Sequence, residues 1–268
     1  MDTAVLIDAV QRSIVVDLEQ PRTAAMPCLP AHRPGYSYTL HRRHEPGSGE
    51  ARTSASGLIV AVEHSGTHID ALSHQAESMH LCGDVAITSA IQTSTGFTQA
   101  GVETVPPLVG RGVLLDLAGP TGDVLPPHSL ISPEDLEVCA QRQGTAIHPG
   151  DVVLVRTGYG RFWNDAERYQ QAAGGSAAAS QWMADRQARA VGCDNFAWDA
   201  FGYTDPTTGT TLPGHVLLLV RYGIYIIENL NLEELAARRA YEFVFLCVPL
   251  KLMGATGSPV RPLALLPA

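Results

Sequence analysis

The length, composition and charge of this chain restrict the kinds of protein it can be. Its 268 residues, 45% of them hydrophobic, can bury a substantial core, and we expect one domain spanning residues 1–268. The formal net charge of −9 argues against nucleic acid or an anionic membrane as a partner, because both attract a basic surface. A small organic molecule is the expected partner.

The cysteines and the apolar segments bear on the cellular compartment. The five cysteines are scattered and form no C-x-x-C pair, which suits neither a disulfide framework nor a thiolate zinc site. The N-terminus lacks a basic region followed by an apolar core, and the longest apolar stretch, residues 216–227, is interrupted by Arg221. These features predict a cytoplasmic protein without a membrane span.

The first part of the chain predicts two strands separated by irregular segments. Residues 13–18 form an apolar run typical of a strand, and the prolines that follow up to Pro34 predict loop or extended chain. Residues 38–56 are polar and predict either a solvated surface loop or a lid or subunit contact that crosses the functional site. Residues 57–63 are apolar and β-branched, which predicts a buried strand.

The rest of the chain alternates apolar strands with helices, which predicts an α/β fold. Ser132, followed by a proline and two acidic residues, predicts a capped helix that ends near Arg142. The other predicted helices cover residues 180–190 and 233–239. The clearest predicted strands are residues 112–117, 150–157, 243–249 and 260–265.

A cluster of metal-ligating residue types follows the predicted strand at 57–63. Within seventeen positions the chain places four histidines and an aspartate: His64, His68, Asp70, His74 and His80. Neutral imidazole nitrogens and a carboxylate oxygen suit a divalent ion such as Zn²⁺ or Mn²⁺, and Gly66 predicts a tight turn that lets them converge. We expect His64, His68 and Asp70 to bind the ion.

The residues from His64 to His74 resemble the H-x-G-T-H-x-D-x-P-x-H signature of the cyclase family of metal-dependent hydrolases, which includes bacterial kynurenine formamidase and isatin hydrolase. One position departs from the signature, because Leu72 stands where the family usually has proline. The resemblance implies a swivelling β/β/α architecture, with a mixed sheet flanked by helices, assembled as a homodimer or homotetramer.

Two later residues extend the expected site. Glu228 ends the apolar run Ile-Tyr-Ile-Ile, where a buried carboxylate is costly unless it is paired or binds a cation. The resemblance implies that His215 and Glu228 hold a second metal ion shared through Asp70. The spacing between these two residues is about one longer than in the formamidases, so one or two ions per chain are both open.

The expected chemistry is hydrolysis by metal-activated water. A bound divalent ion lowers the pKa of its water towards about 7, so no covalent nucleophile is required, and no G-x-S-x-G motif occurs. We expect His74 to act as the general base. The scissile bond would be the C–N bond of an amide, formamide or cyclic amide, or the C–O bond of a lactone. The alternative is a non-catalytic small-molecule-binding protein whose metal is structural.

Aromatic residues near the expected site suggest a planar substrate. Tyr159 and Trp163 follow the predicted strand at 150–157, and Phe196 and Trp198 follow residues 191–195. These four side chains either bind substrate or pack in the core. The family tends to carry Asp-Thr-x-Ser-x-Asp at residues 194–199, whereas this chain has Asn195 and Ala197 in place of the hydroxyl residues.

Overall fold

The computed structural model describes residues 2–119, 123–207 and 209–268. Its main strands are short and dispersed along the whole chain. In chain order, the strands are β1 (Ile14–Asp17), β2 (Tyr36–Arg42), β3 (Ser56–Ala61), β4 (His68–Asp70), β5 (His80–Leu81), β6 (Val85–Ala86), β7 (Gln92–Thr93), β8 (Gly96–Phe97), β9 (Leu108–Asp116), β10 (Leu130–Ile131), β11 (Val152–Arg156), β12 (Gly174–Gly175), β13 (Ala190–Cys193), β14 (Tyr225–Glu228), β15 (Glu242–Cys247), β16 (Gly257–Pro259) and β17 (Leu263–Leu266).

The helices lie mostly between the strands of the second half. In chain order, the α-helices are α1 (Thr3–Arg12), α2 (Pro133–Gln143), α3 (Ala166–Tyr169), α4 (Ala177–Asp185), α5 (Pro213–His215) and α6 (Glu233–Ala237). Helix α5 continues directly into a π-helix at Val216–Tyr222, and short 3₁₀ turns occupy Pro30–His32, Val102–Thr104 and Tyr159–Phe162. No helix among the described residues is long and apolar enough to cross a bilayer.

Within the described residues, nine strands form one mixed sheet in the order β1-β17-β15-β9-β11-β13-β14-β4-β16. The four strands β9, β11, β13 and β14 run parallel, and β4 pairs antiparallel with both β14 and β16. Every residue of β11 is buried, as expected for a parallel strand covered on both faces. This arrangement confirms the predicted fold class, a mixed sheet flanked by helices.

Two hydrophobic clusters cover the two faces of the sheet. Along β11, Leu154 belongs to one cluster, whereas Val153 and Val155 belong to the other. Ile226 and Ile227 of β14 divide in the same way. Because successive side chains of a strand point to opposite faces, an uninterrupted apolar run supplies both cores.

The sequence predicted helix α2 closely. The Ser132 hydroxyl accepts the backbone N–H of Asp135, whose carboxylate accepts the N–H of Ser132, which completes a capping box. Gly144 ends the helix in the left-handed conformation. By contrast, α4 begins at Ala177 and ends at Asp185 rather than covering residues 180–190, because Ser176 supplies its N-terminal cap.

The prediction for residues 38–63 was wrong in two respects. The polar segment is not irregular throughout, since its first part belongs to β2, which pairs antiparallel with β3 and contains a register shift between Thr39 and Arg42. The apolar residues predicted as a buried strand form β3, all of whose residues are exposed. This two-stranded hairpin stands outside the nine-stranded sheet, and no other strand in the described part of the chain pairs with it.

Candidate metal centre

The sheet brings the two sequence-predicted halves of the site together. Strands β4 and β14 pair in a register that places Glu228 opposite His68 and Ile226 opposite Asp70. On the other side of β4, Gly257 of β16 lies opposite Asp70. Residues that are about 160 positions apart in the chain therefore become neighbours across the ladder between β4 and β14.

The turn before β4 fixes the direction of the His68 ring. Gly66 has a φ of +67°, and a Cβ atom there would lie 2.6 Å from a guanidinium nitrogen of Arg22. The Gly66 carbonyl accepts Nδ1–H of His68 at 2.8 Å and an amide N–H of Asn229 at 3.0 Å. With Nδ1 held in this way, Nε2 of His68 faces the carboxylate of Glu228 at 3.3 Å.

Asp70 is the centre of the cluster. Its Oδ1 lies 2.8 Å from Nδ1 of His64 and 3.5 Å from Nε2 of His68. Its Oδ2 lies 3.6 Å from Nε2 of His215 and has no hydrogen-bond partner among the described residues. A fully buried carboxylate oxygen without a partner is costly, and a bound cation would remove that cost.

Two groups of donor atoms share Asp70. The first contains His64 and His74, the second contains His68 and Glu228, and in each group the donor atoms lie within 4.8 Å of one another. Nε2 of His215 lies 3.3 Å from Oε1 of Glu228, next to the second group. Buried imidazole and carboxylate donors of this kind fit a divalent cation, and the residues that would hold it are His64, His68, Asp70, His215 and Glu228.

Asp199 orients His215, a role that the sequence reasoning did not assign. Its Oδ2 accepts Nδ1–H of His215 at 2.6 Å and the backbone N–H of His215 at 3.0 Å, and its Oδ1 accepts the N–H of Gly214 at 2.6 Å. Carboxylates commonly support metal-ligating histidines in this way. The sequence does contain Asp199 as the second carboxylate of residues 194–199, but only the fold shows that this carboxylate faces α5.

The pKa values describe a site in which buried carboxylates compete for positive charge. Burial and Asp70 raise the pKa of Glu228, but the bonds to His215 and His68 outweigh them and lower it to about 2. Burial would lower the pKa of His215, yet its bonds to Asp199 and Glu228 raise that pKa well above the ordinary value. Without a cation, protons on histidine balance the carboxylates, and a metal ion would take their place.

His74 differs from the other histidines. Its ring stacks on His64 with centroids 3.9 Å apart, and burial lowers its pKa to about 3, so its imidazole is neutral at pH 7. A histidine that the sequence reasoning missed, His32, has its ring centroid 5.3 Å from that of His64. His80 of β5 belongs to neither donor group, and its Nδ1 pairs with the Ser78 carbonyl while its Nε2 lies 3.9 Å from Oδ1 of Asp84.

The four aromatic residues suggested for substrate binding are buried and have partners inside the protein. The Tyr159 hydroxyl donates to the Leu125 carbonyl, and the indole N–H groups of Trp163 and Trp198 donate to the Pro21 carbonyl and the Ser180 hydroxyl. The Phe196 ring packs edge-on against Tyr169. The backbone N–H of Trp198 donates to Oε1 of Glu228 at 2.9 Å, so residue 198 reaches the site through its main chain.

The fold and the site thus define a mixed α/β protein with a buried histidine–carboxylate centre at one side of its sheet. A family model described as "Putative cyclase" matches residues 16–200, and the chain belongs to this cyclase family. No curated protein matches the chain in sequence.

Solved structures share the fold. A crystal structure of a novel cyclase aligns over 97% of this chain and 89% of its own, with 29% identity and a TM-score of 0.84. Isatin hydrolase A from Ralstonia solanacearum aligns over 99% of this chain and 97% of its own, with 23% identity and a TM-score of 0.77. A predicted metal-dependent hydrolase from Bacillus stearothermophilus aligns over 94% and 98%, with 23% identity and a TM-score of 0.61.

Proposed function

We propose that this protein is a metal-dependent hydrolase that cleaves the acyl C–N bond of a small amide, formamide or cyclic amide, or the acyl C–O bond of a lactone. The observation that carries the proposal is the convergence of imidazole and carboxylate donors on Asp70, whose Oδ2 is buried without a hydrogen-bond partner in the described structure. The solved structures described as isatin hydrolases and as a predicted metal-dependent hydrolase support the same reaction class.

In this proposal the ligands are His64, His68 and Asp70, with His215 and Glu228 completing a second position. Imidazole and carboxylate donors suit Zn²⁺ or Mn²⁺, and the set is large enough for one or two ions. When bound, such an ion activates water and polarises the carbonyl oxygen. Asp199 and the Gly66 carbonyl keep the rings of His215 and His68 turned towards the centre.

His74 is the proposed general base. Its neutral imidazole can accept a proton from the attacking water and return it to the departing amine or alkoxide. The same ring also lies close enough to Asp70 and His64 to serve as a ligand. Measurement of metal content and turnover in one variant separates the two roles, as described in the Discussion.

A planar aromatic substrate is part of the proposal. The chain places Tyr159, Trp163, Phe196 and Trp198 among buried residues, so any substrate contact from this set requires local opening or the main chain of residue 198. The half-buried ring of His32 lies beside His64 and offers an aromatic and hydrogen-bonding surface next to the ligands. Either surface suits a flat carbonyl compound.

We also propose a cytoplasmic homodimer or homotetramer. The hairpin of β2 and β3 exposes Tyr38, Leu58, Ile59 and Val60, and contiguous exposed apolar residues commonly mark contacts between proteins. The described cysteines are all free thiols, which fits a reducing compartment. Light scattering tests the assembly: wild type should have at least twice the protomer mass, and Ile59→Asp should lower it.

The decisive experiment is a substrate panel run with metal-stripped protein and with protein reconstituted with Zn²⁺ or Mn²⁺. N-formylkynurenine, isatin and a dienelactone represent a formamide, a cyclic amide and a lactone. Metal-dependent hydrolysis of one of these three compounds supports the proposal and identifies the scissile bond. Tight metal binding with no turnover of any carbonyl compound would instead favour a non-catalytic binding protein.

A further inference from the structure

His64 has both ring nitrogens engaged, and the two partners are chemically different. Nδ1 lies 2.8 Å from Oδ1 of Asp70, and Nε2 lies 2.8 Å from the hydroxyl oxygen of Thr256. Thr256 immediately precedes β16, which pairs with β4, so it approaches His64 from a segment 192 residues away in the chain. These two partners determine which ring nitrogen of a neutral His64 carries the proton.

Glu63 fixes the direction of the hydrogen bond between Thr256 and His64. Oε1 of Glu63 accepts the backbone N–H of Thr256 at 3.0 Å and also accepts the Thr256 hydroxyl in a short hydrogen bond. A hydroxyl has one hydrogen, and this one is committed to Glu63. The Thr256 oxygen can therefore only accept from His64, so Nε2 of His64 must carry a proton.

The consequence is that Nδ1 of neutral His64 is an unprotonated nitrogen that faces a carboxylate oxygen at 2.8 Å. Two acceptors at this distance repel each other unless a proton or a metal ion lies between them. The arrangement is the reverse of that at His68 and His215, whose Nδ1 atoms are held by the Gly66 carbonyl and Asp199 and whose Nε2 atoms face the centre.

The backbone next to Thr256 is fitted to this ring. A Cβ atom on Gly257 would lie 2.6 Å from Cε1 and 3.1 Å from Nδ1 of His64, so the ring lies directly against the main chain of β16. Gly257 is the strand partner of Asp70. The main chain of β16, the His64 ring and the Asp70 carboxylate therefore lie next to one another. The position of Thr256 relative to His64 is therefore set by the sheet.

We propose that Glu63 and Thr256 are positioning residues that hold the Nε2–H form of His64 and so present Nδ1 to the metal ion. The inference rests on the metal site of the proposed function and adds to it a chain of hydrogen bonds, here called the relay. Glu63 accepts from Thr256, Thr256 accepts from His64, and the remaining nitrogen of His64 is left for the cation. Such outer partners commonly change metal affinity by about 10-fold to 100-fold when removed.

The direct test is nuclear magnetic resonance of zinc-loaded wild-type protein labelled with ¹⁵N in histidine. Two-bond proton–nitrogen correlations should show His64 protonated at Nε2 and His68 and His215 protonated at Nδ1. A His64 ring protonated at Nδ1 in the zinc-loaded protein would overturn the inference. A wild-type protein that bound no zinc would overturn the proposed function as well, so the two failures are distinguishable.

The second test measures zinc affinity by competition with a chelator. Thr256→Val should weaken zinc binding about 10-fold to 100-fold, whereas Thr256→Ser, which keeps the hydroxyl, should stay close to wild type. Thr104→Val is the matched control, because its hydroxyl donates to the Gly101 carbonyl outside the site. Wild-type affinity in Thr256→Val would overturn the relay.

Glu63→Leu tests whether the two residues act as a unit, because leucine removes the oxygen that accepts from Thr256. Its loss of affinity should not add to that of Thr256→Val, since either change breaks the same chain of hydrogen bonds. Fully additive losses would show that the residues act separately and would overturn the relay. If Thr256→Val fails to fold, judged by circular dichroism of the metal-free protein, Glu63→Leu and the wild-type nitrogen assignment decide the matter.

Discussion

Strands β3 and β4 are separated only by residues 62–67, yet they lie in opposite environments. β3 reads Ser-Gly-Leu-Ile-Val-Ala and is exposed along its whole length. β4 reads His-Ile-Asp and is buried along its whole length. The apolar strand lies outside and the strand with two ionisable residues lies inside, so the polarity of a short run does not decide its burial.

The difference follows from the neighbours that each strand acquires. β4 has β14 on one side and β16 on the other. The His68 side chain contacts Glu228 and the Gly66 carbonyl, and the Asp70 side chain contacts His64, which is itself bonded to Thr256. Burial of such groups is tolerated because most have partners. Within residues 2–119, 123–207 and 209–268, β3 pairs with β2 alone, and a two-stranded ribbon has no layer of its own to cover either face.

The largest expected effect comes from removal of the charge at the centre of β4. Asp70→Asn should reduce metal affinity by more than the roughly 100-fold typical of an outer partner, because Asp70 belongs to both donor groups. Elemental analysis after dialysis measures the metal content. Undiminished content in Asp70→Asn would show that the buried polar strand is not a metal site.

The next effect concerns His74. If it is the base, His74→Ala should keep its metal and lose about 10²-fold to 10⁴-fold in turnover. Turnover and metal content are measured on the same preparation. A joint loss of both would assign His74 to the ligands, in agreement with its place beside His64 and Asp70.

Glu228→Gln tests whether the partner strand of β4 contributes a second ion. If two ions bind, this variant should bind one, since it removes the negative charge next to His68 and His215. Isothermal titration with Zn²⁺ gives the stoichiometry. Two equivalents in both proteins would remove Glu228 from the ligand set, and one equivalent in wild type would reject the two-ion form.

The smallest expected effect is on the free energy of unfolding, and it compares β4 with β3 through the same substitution in each strand. Ile69 of β4 is 0% exposed and Ile59 of β3 is 62% exposed. Ile69→Ala should lower the free energy of unfolding by about 2–5 kcal/mol, whereas Ile59→Ala should change it by no more than about 0.5 kcal/mol. Urea unfolding of dilute, metal-free protein measures both, and equal losses would contradict the contrast.

The sequence alone determined the features that depend on neighbouring residues. The segment from His64 to His74 contains its metal-donor residues and its turn glycine close together in the chain. Likewise, Ser132 and Asp135, three residues apart, cap α2. Alternating apolar runs were enough for an α/β fold, whereas the mixed sheet was implied only by the resemblance to the cyclase family. These signals are local, so no knowledge of strand pairing was needed.

Only the tertiary structure decided which distant residues meet. Nothing in residues 254–257 indicates that Thr256 binds His64, and nothing in Asp199 indicates that it orients His215, because both contacts depend on long-range strand pairing and on the position of α5. The exposure of β3 was also decided there, since an apolar strand is buried only when another layer covers it. Local sequence specifies the donors, and the order of strands in the sheet specifies their partners.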